Sequence, residues 1–595
     1  MTRAAARPLL VLALAAVVPA AAAAEPPKPD SVLLVTIDTL RADRLGAGSG
    51  PSSTSRMPRL AEIARRGVVF RRAFSQTPLT VPSHVTILTG LDPRHHGVRD
   101  NNGYALAPKT PTLATVLSAR GLRCAAFVGG APLARRPDLT RGFSTYDDRM
   151  TRAAGGGAGP LAERRAEDVV AAALSWFTGL APKTRTFAWV HFYDPHDPYE
   201  APASVARKPG ESEYDAEVRY ADAALGQLVE GLAAAGRLES TLIVVAGDHG
   251  EMLGEHGEAT HGIFLYQSAV AVPLVVVLPG RAGGRSIDRP TPLSDLLPTI
   301  LDLVGAPLPA MLDGQSAASA LLPGAAAVAT PRAFYLETVH PRRRYGWSPL
   351  YGLVQWPMKF VEAPQAELYD PSADPGETRN LTPKASATLW RAKLNELRAE
   401  APPVTSEVAD EERLAALKSL GYVGSQSGAS PRDALEDRPR RDPKQGIKIL
   451  PKLEAGLAKL HAGDGSGAAK ALEEALAIEP DSVLALHNRG IAAMMLQDSV
   501  QASAWFEKAS RSDPYSDNVL CDLGVSLARQ GRNRDAEIAY RRALAIDPES
   551  ATARFNLAVV MIDTGRKAEA RQELLKIRAV NPDFPHLAEV LRGLD

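Results

Sequence analysis

The sequence predicts an α/β domain built on a mostly parallel sheet flanked by helices, then a small C-terminal antiparallel sheet, then an all-α repeat solenoid. Three observations carry this. Short β-branched apolar runs alternate with helical segments up to about residue 305. Strand-like runs with no helices between them follow at 333 to 371. Finally, Pro480, Pro514, Pro548 and Pro582 recur at a constant interval of 34 residues.

The chain opens with MTRAAARPLLVLALAAVVPAAAAAEPP, in which Arg3 and Arg7 precede an apolar core and small residues precede Glu25. This pattern predicts a secretory signal peptide at 1–24 and a periplasmic or secreted mature chain. The apolar run falls short of the roughly 20 residues that a membrane span needs, so no transmembrane anchor is expected.

A catalytic domain is expected over 25–400. SVLLVTID at 31 to 38 and STLIVVAGDHG at 240 to 250 have the character of doubly buried parallel strands. Further strand candidates are VVFRRAF at 68 to 74, CAAFVGG at 124 to 130, TFAWVHFYD at 186 to 194 and VPLVVVLPG at 272 to 280. PRLAEIARRG, TLATVLSARG, AERRAEDVVAAALSWFTGL and SEYDAEVRYADAALGQLVEGLAAAG are the helices between them, and the glycine cluster at 154 to 159 reads as a loop. From about 333, AFYLETV, GLVQWPMKFVEA and AELYD read as short antiparallel strands.

Residues 401–446 form the expected linker, its stretch from 425 to 444 being polar and rich in Pro and charge. In the repeats at 447–595, Gly490, Gly524 and Ala558 share one phase, Ala502, Ala536 and Ala570 a second, and Phe506, Tyr540 and Leu574 a third. Small residues at fixed phase let paired helices approach, and large ones fill the groove between units. About four units fit before a capping helix, PHLAEVLRGL.

Lys plus Arg equals Asp plus Glu at 68 each, so no net field draws the chain to nucleic acid. Cys124 and Cys521 fall in different domains and are expected as unpaired buried thiols.

The candidate site starts from Thr80, two residues before Pro82 and just ahead of an apolar helical run. A hydroxyl there faces the N–H groups and positive end of a helix, which suits a nucleophile attacking an anionic ester; the plainer reading is an N-cap. Asp38, Asp248 and His249 stand at the ends of two predicted parallel strands, where ligands gather in open α/β sheets. Two carboxylates, an imidazole and the Thr80 hydroxyl suit a hard or borderline cation.

With those motifs in place, the chain resembles the sulfatase family of the alkaline phosphatase superfamily over residues 31 to about 385. The resemblance runs from SVLLVTIDTLRADRLG through TPLTVPSHVTILTG, GVRDNNG, HFYDPHDPY and VVAGDHGEMLGEHGEATHG to ELYDPSADPGETRNL, in the family's order. It implies a Thr80 nucleophile and a divalent metal ion, zinc or manganese ahead of calcium, on Asp38, Asp248, His249 and the Thr80 hydroxyl. It also implies that Asn101 holds the ester oxygens, and that His196 or His261 contacts the substrate or protonates the leaving group. Asp194 is either a ligand for a second metal or the cap of the turn at Pro195; the cap is the preferred reading. The repeats are similar to tetratricopeptide repeats, which implies a protein partner.

Departures from the pattern narrow the chemistry. Formylglycine-type sulfatases carry Cys or Ser at the position of Thr80, Arg where this chain has His84, and Lys where it has Gly130. A Thr cannot become formylglycine. It resembles instead the phosphodiesterase and phospho-alcohol transferase branches, so hydrolysis of phosphate or sulfate esters through a Thr80-linked intermediate is expected. A transferase acting on a glycan or lipid, or a degenerate enzyme domain serving as a repeat-mediated scaffold, are the alternatives.

Overall fold

The computed structural model describes residues 28–45, 56–153, 161–281, 283–322, 332–382, 384–398 and 440–594. The predicted signal peptide, the glycine cluster at 154 to 159 and the linker up to residue 439 lie outside the described residues.

The catalytic domain is organised by one sheet. Its strands, in chain order, are β1 (Ser31–Ile37), β2 (Val68–Phe74), β3 (Arg123–Val128), β4 (Thr145–Asp147), β5 (Thr186–Phe192), β6 (Thr241–Gly247), β7 (Ala271–Val277), β8 (Arg285–Ile287) and β9 (Thr291–Pro292). They lie in the order β8-β2-β7-β6-β1-β5-β3-β4, with β9 also on β2. Only β7 runs antiparallel to its neighbours. Strands β1, β5 and β6 are buried along their whole length, as their unbroken apolar runs require.

Helices α1 (Pro58–Arg65), α3 (Ala166–Thr178) and α4 (Glu213–Ala234) cover one face of this sheet, with Leu33, Val35, Val190 and Val245 beneath them. Helices α2 (Thr80–Thr89) and α5 (Leu296–Val304) cover the other, over Leu34, Trp189 and Val244. Alternate residues of one strand thus feed two separate cores.

The second sheet has four antiparallel strands, β10 (Phe334–Thr338), β11 (Leu350–Gln355), β12 (Met358–Glu362) and β13 (Glu367–Tyr369), paired in chain order. GLVQWPMKFVEA, expected as one strand, is a hairpin that turns at Trp356 and Pro357. The proline has no N–H to offer a ladder, so the run cannot continue through it. Helix α6 (Lys384–Arg398) lies on β11.

Eight helices then form four antiparallel pairs: Leu450–His461 with Gly465–Ile478, Val483–Met495 with Ser499–Ser512, Asp517–Arg529 with Asn533–Ile546, and Ala551–Asp563 with Lys567–Val580, before a cap at Leu587–Arg592. A Cβ on Gly490 would stand 2.4 Å from the Phe506 ring, and one on Gly524 would stand 2.5 Å from Tyr540. The two sequence phases therefore meet pair by pair, with glycine where the large ring crosses. The end of the expected linker is already ordered: Pro443–Gly446 is a helical turn capped by Asp442, which accepts the Lys444 N–H.

The repeats and the catalytic domain share one apolar core. Ile263, Phe264 and Trp347 on one side join Ile447, Leu450 and Leu453 on the other. Trp347 donates its indole N–H to Glu479 at 3.1 Å, and a Cβ on Gly446 would come within 2.3 Å of the indole. Among the described residues no helix is long and apolar enough to cross a membrane, and Cys124 and Cys521 are free and buried.

Candidate active site

Ile37 pairs with Gly247 on one side and with Phe192 on the other. The residues that leave β1, β6 and β5 therefore emerge level with one another at the carboxyl end of the sheet. Asp38 follows β1, Asp248 and His249 follow β6, and the loop with Asp194 and His196 follows β5. Backbone bonds tie these exits together: Asp38 N–H donates to the Phe192 carbonyl at 2.9 Å and Asp248 N–H to that of Ile37 at 3.3 Å.

Asp38, Asp248 and His249 each bring one ligand atom to within 4.8 Å of the other two, and all three are buried. Asp248 is oriented by its neighbours, since its Oδ1 accepts N–H bonds from Thr39 at 3.2 Å and His249 at 2.7 Å. That turns Oδ2 inwards. His249 Nδ1 lies 2.9 Å from the Gly250 carbonyl oxygen and so carries its hydrogen there, which leaves a lone pair on Nε2. This Nε2 stands 3.4 Å from Asp38 Oδ1 and 3.6 Å from Asp248 Oδ2.

Neither oxygen of Asp38, nor Asp248 Oδ2, has a hydrogen-bond partner. Buried carboxylate oxygens that face one another and an imidazole lone pair are costly unless a cation sits between them, and His191 Nε2, 3.3 Å from Asp38 Oδ2 and a donor because its Nδ1 accepts the Gly129 N–H, offsets only part of that cost. Two carboxylate oxygens and an imidazole nitrogen match the donor set of zinc or manganese. Burial, with Asp38 beside it, holds the Asp248 carboxyl well above its usual range, and burial pushes the His249 imidazole down to about 3.

Thr80 is the first residue of α2, not its cap; Leu79 holds the cap position and contributes no side-chain bond. The Thr80 hydroxyl instead lies 3.5 Å from His249 Nε2, the nitrogen that faces Asp38 and Asp248. The expectation of bare first-turn amides is also corrected. Val81 N–H donates to Asn101 Oδ1 at 2.8 Å, Ser83 N–H to the Leu79 carbonyl at 3.1 Å, and Pro82 has none. Asn101 Nδ2 is buried and has no hydrogen-bond partner, so it is an unused donor one turn from Thr80, whose neighbour Val81 the same side chain holds.

His84, in the position of the family's Arg, borders this space, its Nδ1 3.6 Å from Asp248 Oδ2. Its Nδ1 donates to the Thr80 carbonyl at 2.7 Å and its Nε2 accepts from the Thr36 hydroxyl at 2.9 Å, which in turn accepts the Trp189 indole N–H at 3.0 Å. This chain braces the first turn of α2 against β1. Gly130, in the position of the family's Lys, lies against Tyr193, whose ring would stand 2.4 Å from a Cβ there. Tyr193 stacks on His196 at 4.2 Å and its hydroxyl meets His196 Nε2 at 3.1 Å.

His196 Nδ1 donates to the Asp197 carbonyl at 2.8 Å, so the ring is secured within its own loop. His261 sits 4.6 Å from His249 and 5.2 Å from His196, ring to ring, with Nδ1 3.1 Å from Glu251. Burial brings both His196 and His261 down to about 4. Asp194 is a cap, but not of the turn at Pro195: its Oδ2 accepts the Ala166 N–H at 2.9 Å and so closes the first turn of α3.

Sequence reasoning missed three groups. His191 Nε2 stands 3.3 Å from Asp38 Oδ2, and its place one residue before the end of a buried strand was the available signal. Glu251 adjoins His249 in the same motif. Arg343 and His340, from the turn after β10, lie 3.2 Å and 3.7 Å from Asp100, which tethers the Asn101 loop. They come from a strongly basic turn with no spacing relation to the motifs.

The sulfatase family model matches residues 30–306, the model described as N-sulphoglucosamine sulphohydrolase, C-terminal, matches 254–400, and two tetratricopeptide repeat models match 453–517 and 527–594. Arylsulfatase K of Homo sapiens is 35% identical over 95 residues, which cover 16% of this chain and 18% of that protein. The chain thus spans under a fifth of the length of the arylsulfatase K relatives from dog, human and cattle. The ulvan-active sulfatase of Formosa agariphila is 26% identical over 449 residues, covering 67% of this chain and 86% of the relative.

Among solved structures, a putative sulfatase from Bacteroides thetaiotaomicron superposes with a TM-score of 0.53 at 20% identity, covering 67% of this chain and 99% of the other. The phosphonate monoester hydrolase of Agrobacterium radiobacter gives 0.50 at 21%, covering 62% and 96%. Both show the shared fold.

Proposed function

We propose, from the premise that this chain joins a sulfatase-family domain to tetratricopeptide repeats, that it is an exported, metal-dependent hydrolase of anionic esters, with Thr80 as nucleophile. The observation that carries this is the position of the Thr80 hydroxyl, 3.5 Å from His249 Nε2, the nitrogen that faces the Asp38 and Asp248 carboxyl oxygens. A divalent ion held by Asp38, Asp248 and His249, with Thr80, would supply charge neutralisation for the ester and ease ionisation of the hydroxyl.

The residues then divide the work. Asn101 Nδ2 donates to an ester oxygen while its Oδ1 keeps α2 in register. Thr80 loses its proton to water and its oxygen forms a bond to the central phosphorus or sulfur atom, and the leaving alcohol departs with the electron pair of the bond that breaks. An imidazole N–H of His196 or His261 delivers a hydrogen to that oxygen. Water afterwards displaces Thr80 and restores the hydroxyl.

Phosphate diesters and phosphonates are the favoured substrates. Thr80 has no carbonyl-hydrate route for expelling sulfate, and the Tyr193 ring fills the space beside Gly130 that a sulfate-binding Lys would need. Zinc or manganese is favoured over calcium, which prefers six to eight oxygen ligands. The test is metal analysis of the purified chain beside a panel of nitrophenyl phosphate monoester, diester, phosphonate and sulfate. A chain that holds metal and turns over none of them is not this enzyme.

A further inference from the structure

At the end of the sheet away from Asp38 and Asp248, the covering layer of helices stops short. α1 ends at Arg65 and α4 at Ala234, whereas β6 begins at Thr241 and the antiparallel β7 runs down beside it to Val277. Ile243 and Val277 are partners across these two strands, on the face that α1 and α4 cover. The result is a cleft of about 420 Å³ whose apolar floor is formed by Ile63, Val229, Leu238, Ile243 and Val277. Val229, Leu238 and Val277 are only partly buried there. The seven residues of β6 rise by about 20 Å, so the cleft and the acceptors that follow β6 lie at opposite ends of the sheet.

The walls are close-fitting. The loop after β7 turns back onto the end of α1, where Gly284 N–H donates to the Gly67 carbonyl at 2.9 Å and a Cβ on Gly283 would stand 2.0 Å from the Arg66 carbonyl carbon. The rim is basic: Arg65 ends α1, Arg66 is its C-cap, and Arg281 comes from the loop. Glu239, the acid beside them, is taken up by Arg66 at 3.1 Å. Among the described residues, the side chains of Arg65 and Arg281 have no ion pair or hydrogen bond. A helix end that favours cations accounts for Arg65 and Arg66, but not for Arg281. In a chain whose 68 basic and 68 acidic side chains cancel, the cleft keeps two guanidiniums without a counter-charge.

An apolar ligand would leave these guanidiniums unpaired, and a bare anion would leave the floor wet. A chain with an anionic head satisfies both, and the arginine fork matches the oxygens of a phosphate. We propose that the cleft is a second, non-catalytic site for a single-chain lipid with a phosphate head, the head between Arg65 and Arg281 and the chain along Leu238 and Val277. No bond is made or broken there, and the site does not depend on the hydrolase reading.

Calorimetry on the full-length protein tests this with n-alkylphosphonates of six, eight and ten carbons, kept monomeric; their carbon–phosphorus bond is not an ester. Decylphosphonate should bind one to one, and each added pair of methylenes should strengthen binding about fivefold to tenfold. Arg65→Ala and Arg281→Ala should each weaken it about tenfold, with ligand-free melting unchanged because neither side chain has a partner to lose. Leu238→Gln should flatten the dependence on chain length. Affinity unchanged in both arginine variants would put the ligand at Thr80 and overturn the proposal. Equal binding of decyltrimethylammonium would reduce the cleft to an apolar patch without charge selection. No binding of decylphosphonate, or binding of the protein only to vesicles of anionic phospholipid, would likewise rule out a site for a single chain.

Discussion

Asn101 Oδ1 accepts the N–H of Val81, 2.8 Å away and one residue after Thr80. One amide therefore does two jobs, since the same side chain turns its NH2 group into the site. The two are separable. Asn101→Asp keeps the acceptor for Val81 and replaces the donor with a charge that repels the ester, whereas Asn101→Ala removes both. We expect both variants to lose at least about 10²-fold in kcat/KM, in the range of one lost oxyanion donor. Only Asn101→Ala should also lose about 1 kcal/mol of stability, read by denaturant unfolding.

Thr80→Ala should abolish turnover with a thermal midpoint close to wild type, because the hydroxyl is not the cap of α2. Thr80→Ser should retain measurable activity. Wild-type rates in Thr80→Ala would remove this residue from the mechanism.

The three facing acceptors make a prediction about stability with a definite sign. Asp38→Asn removes one of two buried carboxylates that face each other and supplies an NH2 donor to the other, so in chelator the variant should melt higher than wild type. With excess zinc or manganese the order should reverse, because wild type gains binding free energy that the variant lacks. His249→Ala and Asp248→Asn should lower metal content and activity together. A wild-type melting curve that does not respond to metal would place the cation elsewhere.

Much of this was readable in advance, and the reasons are local. Asp38, Asp248 and His249 stand at the ends of unbroken apolar strands, and a strand end in a parallel sheet is a fixed place. The glycine and ring phases of the repeats were legible, but Phe506 and Tyr540 cross Gly490 and Gly524 within a helix pair rather than filling the groove between units, because glycine leaves the space that a ring needs there. The hairpin at Trp356 was misread because its two strands are joined by only two residues, so hydropathy shows no gap. Arg343 and His340 were invisible for a different cause: they reach Asp100 from another sheet, and nothing in spacing along the chain encodes that approach.

Gly130→Lys offers a steric test of the substrate preference. The new side chain would meet the Tyr193 ring at its first carbon, 2.4 Å away, and so displace the platform on which His196 stacks. Loss of activity towards every ester is expected, with no gain towards aryl sulfates. A variant that acquires sulfate turnover would show that the glycine alone sets the preference.

The contact between Trp347 and Glu479 predicts how the two domains melt. Glu479→Ala strands the indole N–H and deprives Arg441 of a carboxylate 3.2 Å away, at a cost of about 1–3 kcal/mol. Because one apolar core runs through both sides, calorimetry should record the catalytic domain and first repeat unfolding together. Two separated transitions, with only one shifted by the substitution, would contradict this coupling.

That shared core also sets a timetable for the nascent chain. Trp347 leaves the ribosome about 100 residues before Ile447, a wait of about 5–20 s at ordinary rates of synthesis. During that interval the apolar face of Ile263, Phe264 and the indole waits first for the rest of the second sheet and α6, and then, with the catalytic domain complete at about Arg398, for the repeat residues Ile447, Leu450 and Leu453 that pack on it. A holding chaperone has there a defined landing place, and any translational pause or truncation between the two domains would release a folded but adhesive protein.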